Sequence, residues 1–470
     1  MATQPNIVVI SDDQHRWDFV EMTGRFPVRT PNMARLAREG VWHRHAYSNC
    51  PLCMPARCSL HTGLYAHQTG VNVNIGHWPL DLPTLPRALQ GLGYHTAAIG
   101  KLHVFEAVPE HLDLTTVREQ VMSLGYDELH EVSGKALAWH ADCEWTHMMQ
   151  RKGLLDAYRA DGSRRAGKND CFPFQFDASL YMDAYIGDRT VEWLRACDGE
   201  RPFFLWAGLV SPHPPFDAPV EFFRHYPPEE QPLPVDNPQP GVWPVKRALY
   251  AGMVEVVDHQ IGRILAVLEE RGVLDNTLVL FVADHGEMLG DHGLSGKCHP
   301  HDPSTRVPLL ARYPALILPG TVSDALAEIT DIPATCLHAA SGQADVESFL
   351  PRSPARSLVP HWAAQTGRAT VARPYAEPAP PVREFIYSED GGQFCPPYQM
   401  IRTDEWKYVF FTRDQSEALF NVQDDPDECR NLAADPACRE IVERLKNRLL
   451  QHIADTPAPL TRRAGEYRHT

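Results

Sequence analysis

The stretch Asn-Ile-Val-Val-Ile-Ser-Asp-Asp, residues 6–13, is an apolar run that ends in acidic side chains. Far along the chain, residues 277–285 repeat this pattern as Thr-Leu-Val-Leu-Phe-Val-Ala-Asp-His. Short apolar runs rich in β-branched residues are typical of strands that are buried on both faces. Since functional groups collect at the carboxyl ends of strands in a parallel sheet, the polar ends of both segments are candidates for a site.

Further strands and helices alternate between these two segments, which predicts an α/β fold. Helices are predicted over residues 30–40, 82–92, 181–196 and 247–270, and strands over residues 96–99 and 203–209. Alternation of this kind implies a largely parallel sheet that is covered by helices on both faces. Residues 108–170 show little periodicity and are interpreted as an insertion over the site.

The character of the chain changes near residues 351–381, where proline and alanine are frequent and periodicity fades. Such a composition favours a linker or an irregular crossover. Beyond it, the pattern predicts short antiparallel strands over residues 383–387, 400–402 and 406–411 and a helix over residues 436–454. The predicted organisation is therefore a large domain over residues 1–370 and a small α+β domain over residues 371–470.

The composition of the chain excludes several classes of function. The formal net charge of −16 argues against a nucleic acid partner, whose phosphates require clustered lysine and arginine. No apolar run is long enough to span a membrane and no leader segment is visible, which predicts a cytoplasmic protein without a membrane partner. The eleven cysteines are an odd number in a long chain and do not indicate a disulfide framework. On so acidic a protein, a site for an anion must be a local positive region.

The segment from Cys53 to Gly63 reads Cys-Met-Pro-Ala-Arg-Cys-Ser-Leu-His-Thr-Gly. It resembles the signature of the type I sulfatases, Cys-x-Pro-x-Arg followed by a leucine and Thr-Gly. The resemblance implies that a separate formylglycine-generating enzyme converts Cys53 to formylglycine. It also implies an alkaline-phosphatase-like α/β sandwich, with a large mixed, mostly parallel sheet and a small C-terminal domain with a short antiparallel sheet. The implied reaction, carried by residues 1–370, is hydrolysis of R–O–SO3⁻ to an alcohol and sulfate through a sulfo-enzyme intermediate.

The chemistry of a sulfate ester supports this interpretation of Cys53. One hydroxyl of a hydrated aldehyde can attack sulfur, and the other can then lose a proton and expel sulfate as the carbonyl forms again. Arg57 lies four residues further on, so a helix would return it to the face of residue 53, where its guanidinium could hold the hydrate. The alternatives are a buried structural cysteine, or a redox pair or half of a zinc site formed with Cys50.

Carboxylates and an imidazole at the predicted strand ends indicate a metal site. Asp12, Asp13, Asp284 and His285 offer mostly hard oxygen ligands, which suit Ca²⁺ best and also allow Mg²⁺ or Mn²⁺. The resemblance adds an oxygen of the hydrate at Cys53 as a further ligand. Taken alone, the two adjacent aspartates would favour a turn that carries solvated acids.

The resemblance also assigns the positive region that an anionic substrate requires. It implies that Lys101 contacts the sulfate, that His103 deprotonates the hydrate and that His213 binds the sulfate. Lys297 is implied as a second sulfate-binding lysine, and it could act as, or position, the general acid for the leaving oxygen. Together with Arg57, these side chains would stabilise charge that develops in the transition state. Each of them, taken singly, is also compatible with a surface or structural role.

Two other functions remain open at this point. A phosphonate monoester or phosphodiester hydrolase of the same superfamily is favoured by the run from Asp284 to His292, although that branch generally lacks a pair such as Lys101 and His103. The second alternative is a non-catalytic metal-binding protein with an unmodified Cys53. The sequence favours a small sulfated substrate, leaves the alcohol open among aryl, alkyl and sugar sulfates, and allows an oligomer.

Overall fold

A nine-stranded sheet forms the centre of the larger part of the protein, within the residues that the structure describes. The computed structural model describes residues 4–106, 113–165, 171–237, 239, 241–366 and 383–458. The strands of this sheet are β1 (Asn6–Asp13), β2 (Val41–Tyr47), β3 (His95–Gly100), β4 (Glu128–Glu131), β5 (Phe203–Pro212), β6 (Thr277–Ala283), β7 (Arg306–Arg312), β8 (Thr321–Ser323) and β9 (Ala327–Glu328).

Strand β1 lies inside this sheet, between β5 and β6, and is parallel to both. The strand order is β4-β3-β5-β1-β6-β7-β2-β8, with β9 also paired to β2. Strand β7 runs antiparallel to β6 and to β2, whereas the remaining pairs are parallel. The predicted mixed, mostly parallel sheet is therefore confirmed.

Helices cover both faces of the large sheet. They are α1 (Pro31–Glu39), α2 (Cys53–Thr62), α3 (Ala66–Thr69), α4 (Leu85–Gly91), α5 (Arg118–Met122), α6 (Glu144–Arg151), α7 (Leu155–Arg165), α8 (Met182–Ala196), α9 (Val220–Phe223), α10 (Trp243–Glu270), α11 (Asp302–Thr305), α12 (Asp331–Ser341) and α13 (Val359–Thr366). Because side chains alternate across a strand, Val8 and Ile10 of β1 enter a core with α8 and α10, whereas Ile7 and Val9 enter a second core with α2 and α12. Burial on both faces explains the uninterrupted apolar run.

A separate four-stranded antiparallel sheet follows, which confirms the predicted small sheet. Its strands are β10 (Ile386–Asp390), β11 (Tyr398–Arg402), β12 (Trp406–Phe411) and β13 (Glu417–Asn421), and the helix packed on it is α14 (Arg439–Asp455). Val442, Leu445 and Leu449 of α14 share an apolar core with Ile401 and Tyr408 of the sheet. The apolar side chains of the predicted last helix thus face the small sheet.

A buried lysine fastens the small sheet to the larger part of the protein. Nζ of Lys407, on β12, lies 2.6 Å from a carboxylate oxygen of Asp302 on α11 and also pairs with Glu428. It donates as well to the backbone oxygen of Pro300, at 3.0 Å. These contacts of Lys407 hold the segment around residues 300–302 in place. The same segment follows Lys297, which lines the pocket described below.

The remaining predictions about organisation have mixed outcomes. Strands β2, β4, β7, β8, β9 and β13 were not predicted, because their apolar runs are short or are interrupted by polar residues such as His43, Arg44 and His45. The described part of residues 108–170 adds β4 to the edge of the large sheet and holds helices α5–α7. The boundary predicted at residues 370 and 371 lies outside the described residues. Among the described helices, none combines the length and apolarity that crossing a bilayer requires.

Candidate active site

Cys53 is the first residue of helix α2 and lies beside the carboxyl ends of β1 and β6. Its Sγ is 2.8 Å from Nζ of Lys297, 3.3 Å from Nε2 of His285 and 3.7 Å from a carboxylate oxygen of Asp13. The side chain is 1% exposed. The positive end of the helix dipole at the first turn of α2 makes this a favourable position for an anionic atom. Pro55, which lacks a backbone N–H, is tolerated there because an N–H in the first turn would have no partner within the helix.

Four of the predicted metal residues come together around this atom. Ligand atoms of Asp13, Cys53, Asp284 and His285 all lie within 4.8 Å of one another, and all four side chains are buried. Burial and the nearby charge of Asp13 raise the pKa of Asp284, as expected for carboxylates that share an enclosed space. Carboxylate oxygens, an imidazole and an oxygen at position 53 form a donor set that fits a divalent cation. The geometry therefore supports the predicted metal site with these residues.

The prediction of Asp12 as a further ligand stays open, because its Oδ1 is buried without a hydrogen-bond partner and burial, together with the charges of Asp284 and Asp13, raises its pKa to about 6. The register of β1 against β5 shifts between Ser11 and Asp13, so side chains need not alternate strictly at this end of the strand. The other carboxylate oxygen of Asp12, Oδ2, lies 2.6 Å from Nδ1 of His15. Nε2 of His15 lies 3.1 Å from the backbone oxygen of Phe19, which fixes the imidazole behind the site.

Arg57 lies one helical turn after Cys53, and its guanidinium contacts two carboxylates and a backbone oxygen of the site. Its Nε donates to Asp284 at 2.9 Å, and Nη1 donates to the backbone oxygen of Lys101 at 2.9 Å. Nη2 is 3.4 Å from a carboxylate oxygen of Asp13. The buried guanidinium therefore braces the two carboxylates of the metal site and the segment that carries Lys101.

The two predicted lysines flank residue 53. Nζ of Lys101 lies 2.5 Å from a carboxylate oxygen of Asp13, and Nζ of Lys297 is 2.9 Å from Oε1 of Gln14. Burial would raise the pKa of the Cys53 thiol, but the charges of Lys297 and Lys101 outweigh it and hold that pKa well below its usual range. Burial likewise opposes the charge of Lys297, yet Cys53 and Asp13 raise its pKa. The site therefore stabilises a negative charge at position 53.

The two predicted histidines also point to residue 53 and are neutral near neutral pH. Burial and the charge of Lys101 lower the pKa of His103 to about 4, and its side chain hydrogen bonds with Cys53. Burial and the charge of Lys297 lower the pKa of His213, which makes a similar contact. Nδ1 of His213 lies 2.7 Å from the backbone oxygen of Pro214 and so carries its proton. Its Nε2 is then an acceptor.

A cavity of about 310 Å³ opens above these groups. It is lined by Cys53, Asn74, Lys101, His103, Glu106, Ser133, Gly134, Lys135, Ala136, Leu137, Val210, His213, Lys297, Gln393 and Phe394. Residues 133–137 belong to the segment that the sequence predicts as an insertion over the site, and Phe394, 64% exposed, lies between β10 and β11 at the mouth. The small domain therefore contributes directly to the pocket.

Sequence reasoning missed two side chains that organise this site. Gln14 accepts from Lys297, donates to Glu287 and donates its backbone N–H to Asp284 at 2.9 Å, all from a left-handed conformation with φ of 69°. Its position directly after the aspartate pair was the available signal. Lys135 lines the cavity with its charge bound to other residues, and no local motif marks it.

Comparison with known proteins agrees with this geometry. A family model described as Sulfatase matches residues 5–342. The arylsulfatase of Clostridium perfringens is 28% identical over 485 residues, covering 96% of this chain and 94% of that protein. The multifunctional alkaline phosphatase superfamily protein PehA of Trinickia caryophylli is 29% identical over 534 residues, covering 98% and 99%. The crystal structure of the phosphonate monoester hydrolase of Agrobacterium radiobacter superposes with a TM-score of 0.75 at 22% identity, covering 97% and 96%, which shows likeness of fold.

Proposed function

Because the chain belongs to the sulfatase family, within the alkaline-phosphatase-like superfamily, we propose that it hydrolyses a small sulfate ester with formylglycine at position 53 as the nucleophile. It is a sulfuric ester hydrolase. The observation that carries the proposal is the convergence of Lys297, His285 and Asp13 on Sγ of Cys53. In the mature side chain, oxygen atoms of the hydrated aldehyde take the place of this sulfur.

The cationic groups have distinct roles in this proposal. Lys101 and Lys297 would hold sulfate oxygens and offset charge as the bond to the alcohol breaks. His213 lies beside residue 53, and its neutral Nε2 would accept a hydrogen bond from a hydroxyl of the hydrated aldehyde, whereas binding of a sulfate oxygen would require a proton on Nε2. Lys297 would also supply or position the proton for the leaving alcohol.

His103 would remove the proton from the second hydroxyl at position 53, so that the carbonyl forms again and sulfate departs. Its lowered pKa keeps the imidazole neutral and able to accept that proton. Arg57 would act indirectly, by holding Asp13 and Asp284 in place. This division differs from the direct grip on the hydrate that the sequence suggested for Arg57.

A divalent cation would be held by Asp12, Asp13, Asp284, His285 and an oxygen of residue 53, with Ca²⁺ favoured by the carboxylate oxygens and Mg²⁺ or Mn²⁺ as alternatives. When bound, such a cation favours the ionised nucleophile and offsets charge on the sulfuryl oxygens. The raised pKa of Asp284 supports the fit, since a buried carboxylate group of this kind gains most from a cation.

Mass spectrometry of the peptide that contains residue 53, combined with turnover of an aryl sulfate, tests the proposal. Protein produced together with a formylglycine-generating enzyme should carry the aldehyde and hydrolyse the ester, and Cys53→Ala should abolish turnover with the fold intact. Cys58→Ala, on the same helix but in the apolar core, is the matched control and should remain active. A fully active preparation with the thiol of Cys53 unchanged would refute the proposed nucleophile.

A phosphonate monoester or phosphodiester hydrolase is the second candidate. It is favoured by His285, whose Nε2 lies 3.3 Å from residue 53, because the run that contains it resembles that branch. Side-by-side kinetics of the matured protein on an aryl sulfate and an aryl phosphonate separate the two. We expect higher kcat/KM on the sulfate, and the reverse order would favour the second candidate.

A further inference from the structure

Two cysteines from distant parts of the chain meet at the mouth of the pocket. Cys395 follows Gln393 and Phe394, and Cys298 follows Lys297, and all three of these neighbours line the cavity. The two side chains pack in one cluster, where their thiols interact. The two cysteines therefore lie where the loop between β10 and β11 approaches the segment that carries Lys297.

The imidazole of His299 favours the thiolate of Cys395, since Nε2 lies 3.4 Å from its Sγ. A weaker contact opposes ionisation, because the thiol can donate to the backbone oxygen of Lys297 at 3.5 Å. The interaction with Cys298 lowers the pKa of Cys395 to about 5, against the effect of burial and with help from His299. The side chain is only partly buried. A thiolate that solvent can reach is the form of cysteine that reacts with disulfides and electrophiles.

Cys298 has the opposite character. It is 0% exposed, and the interaction with Cys395, together with burial, raises its pKa. Asp390 and Cys50 also face it and oppose its ionisation, whereas Lys297 favours it weakly. Its backbone N–H donates to the oxygen of Pro51 at 3.0 Å, which holds it in place. A reactive outer thiolate beside a protected inner thiol is the arrangement of an attacking and a resolving cysteine.

We propose that Cys395 is a site of covalent thiol modification and that Cys298 resolves the product to a disulfide that restricts the mouth of the pocket. The Cys395 thiolate attacks a low-molecular-weight disulfide such as oxidised glutathione, and one glutathione thiolate leaves as a mixed disulfide forms. The sulfur of Cys298 then attacks the sulfur of Cys395, gives up its proton and displaces the second glutathione. Two protein thiols are oxidised and one small disulfide is reduced to two thiols.

Selective alkylation tests the reactivity of Cys395. At pH 6.5 with limiting iodoacetamide, peptide mapping should show Cys395 labelled at least about tenfold faster than Cys429, although Cys429 is the exposed thiol. Burial and Asp425 raise the pKa of Cys429, so it is the matched control for exposure without activation. His299→Gln should slow labelling of Cys395 alone. Labelling that follows exposure instead, with Cys429 first, would overturn the proposed site.

Oxidation tests the resolving step. Incubation with oxidised glutathione, followed by non-reducing peptide mapping, should give a Cys298–Cys395 cross-link in the native protein and a persistent mixed disulfide in Cys298→Ser. A mixed disulfide that also persists in the native protein would refute the role of Cys298. Neither mapping experiment needs catalytic turnover, so its outcome is independent of the proposed sulfatase activity.

The effect on the pocket rests on the proposed function and is measured separately. The cross-link ties the loop of Phe394 to the segment of Lys297, so access for a bulky aryl sulfate should fall. We expect kcat/KM for that ester to drop about fivefold in the cross-linked protein and to recover on reduction, with Cys395→Ser unaffected by the oxidant. Unchanged kinetics in a protein shown to be cross-linked would overturn the link to pocket access.

Discussion

Replacement of Lys135 by methionine measures how the segment over the pocket supports the site. Nζ of Lys135 donates to Asp217 at 2.7 Å, to the hydroxyl of Tyr181 at 2.8 Å and to the backbone oxygen of Pro215 at 3.1 Å. The residue is 3% exposed. Since Pro215 and Asp217 follow His213 on one loop, this lysine connects the segment of residues 133–137 to a histidine that lies beside residue 53.

The expected magnitude follows from these contacts. Methionine preserves the volume of the side chain, so the packing loss is small. Asp217, however, is left as a buried carboxylate that still accepts from Tyr181 at 2.9 Å but has lost its cation. Breaking a buried ion pair on one side costs about 3–5 kcal/mol. Loss of the bond to Pro215 also frees the loop of His213, and a misplacement of about 1 Å can lower turnover by ~10²-fold.

Urea unfolding and steady-state kinetics on an aryl sulfate give the two readouts. The matched control is Lys152→Met, because Lys152 is an exposed lysine within residues 108–170. This variant should change neither the free energy of unfolding nor the turnover. The double variant Lys135→Met with Asp217→Asn removes the stranded charge and should regain part of the lost stability without restoring kcat. If Lys135→Met matches the native protein within about 0.5 kcal/mol, or the double variant regains nothing, the reasoning from a stranded charge is wrong.

Two further predictions concern individual carboxylates. Asp13→Asn should lose bound metal and activity together, and Asp12→Asn should weaken metal binding because its buried Oδ1 has no other partner; full metal occupancy of the purified variants in metal analysis would contradict this. Burial raises the pKa of Glu131 from 4.5 to about 8, so ionisation opposes folding and the native protein should lose stability as pH rises through this range. Glu131→Gln should therefore lose less stability between pH 6 and 9, by ~3 kcal/mol in urea unfolding, and equal losses in both proteins would contradict this.

Much of the larger fold was predictable because its central strands are buried on both faces. The runs that became β1 and β6 are continuously apolar, and their ends were located within a few residues. Strand β2 was missed because His43, Arg44 and His45 interrupt its apolar pattern, and the sheet neighbours that shelter it come from distant parts of the chain. Local patterns report burial well but cannot report which partner provides it.

The candidate site shows the same division between local and distant information. A contiguous motif identified Cys53 and Arg57, and the structure places both at the centre of the site. The aspartate pair was visible in the sequence, but the register shift at the end of β1, where Asp12 and Asp13 both approach Asp284, was not. Lys135 depended on a contact across 82 residues with Asp217, which no spacing in the sequence reveals.

The acidic surface of the protein and the positive charge of its site are compatible, because solvent and salt screen the surface charges, whereas the site charges are buried in a medium of lower dielectric constant. Exposed charges are screened over about 8 Å at physiological salt, so the net charge of −16 acts weakly on an anion inside the pocket. Lys101, 3% exposed, interacts with its neighbours through protein, where electrostatic attraction is stronger. Discrimination against a second anionic group on the substrate then depends on the few charged side chains that line the cavity. Glu106 supplies a carboxylate there, so under the proposed function a leaving group that is neutral or positively charged would be favoured.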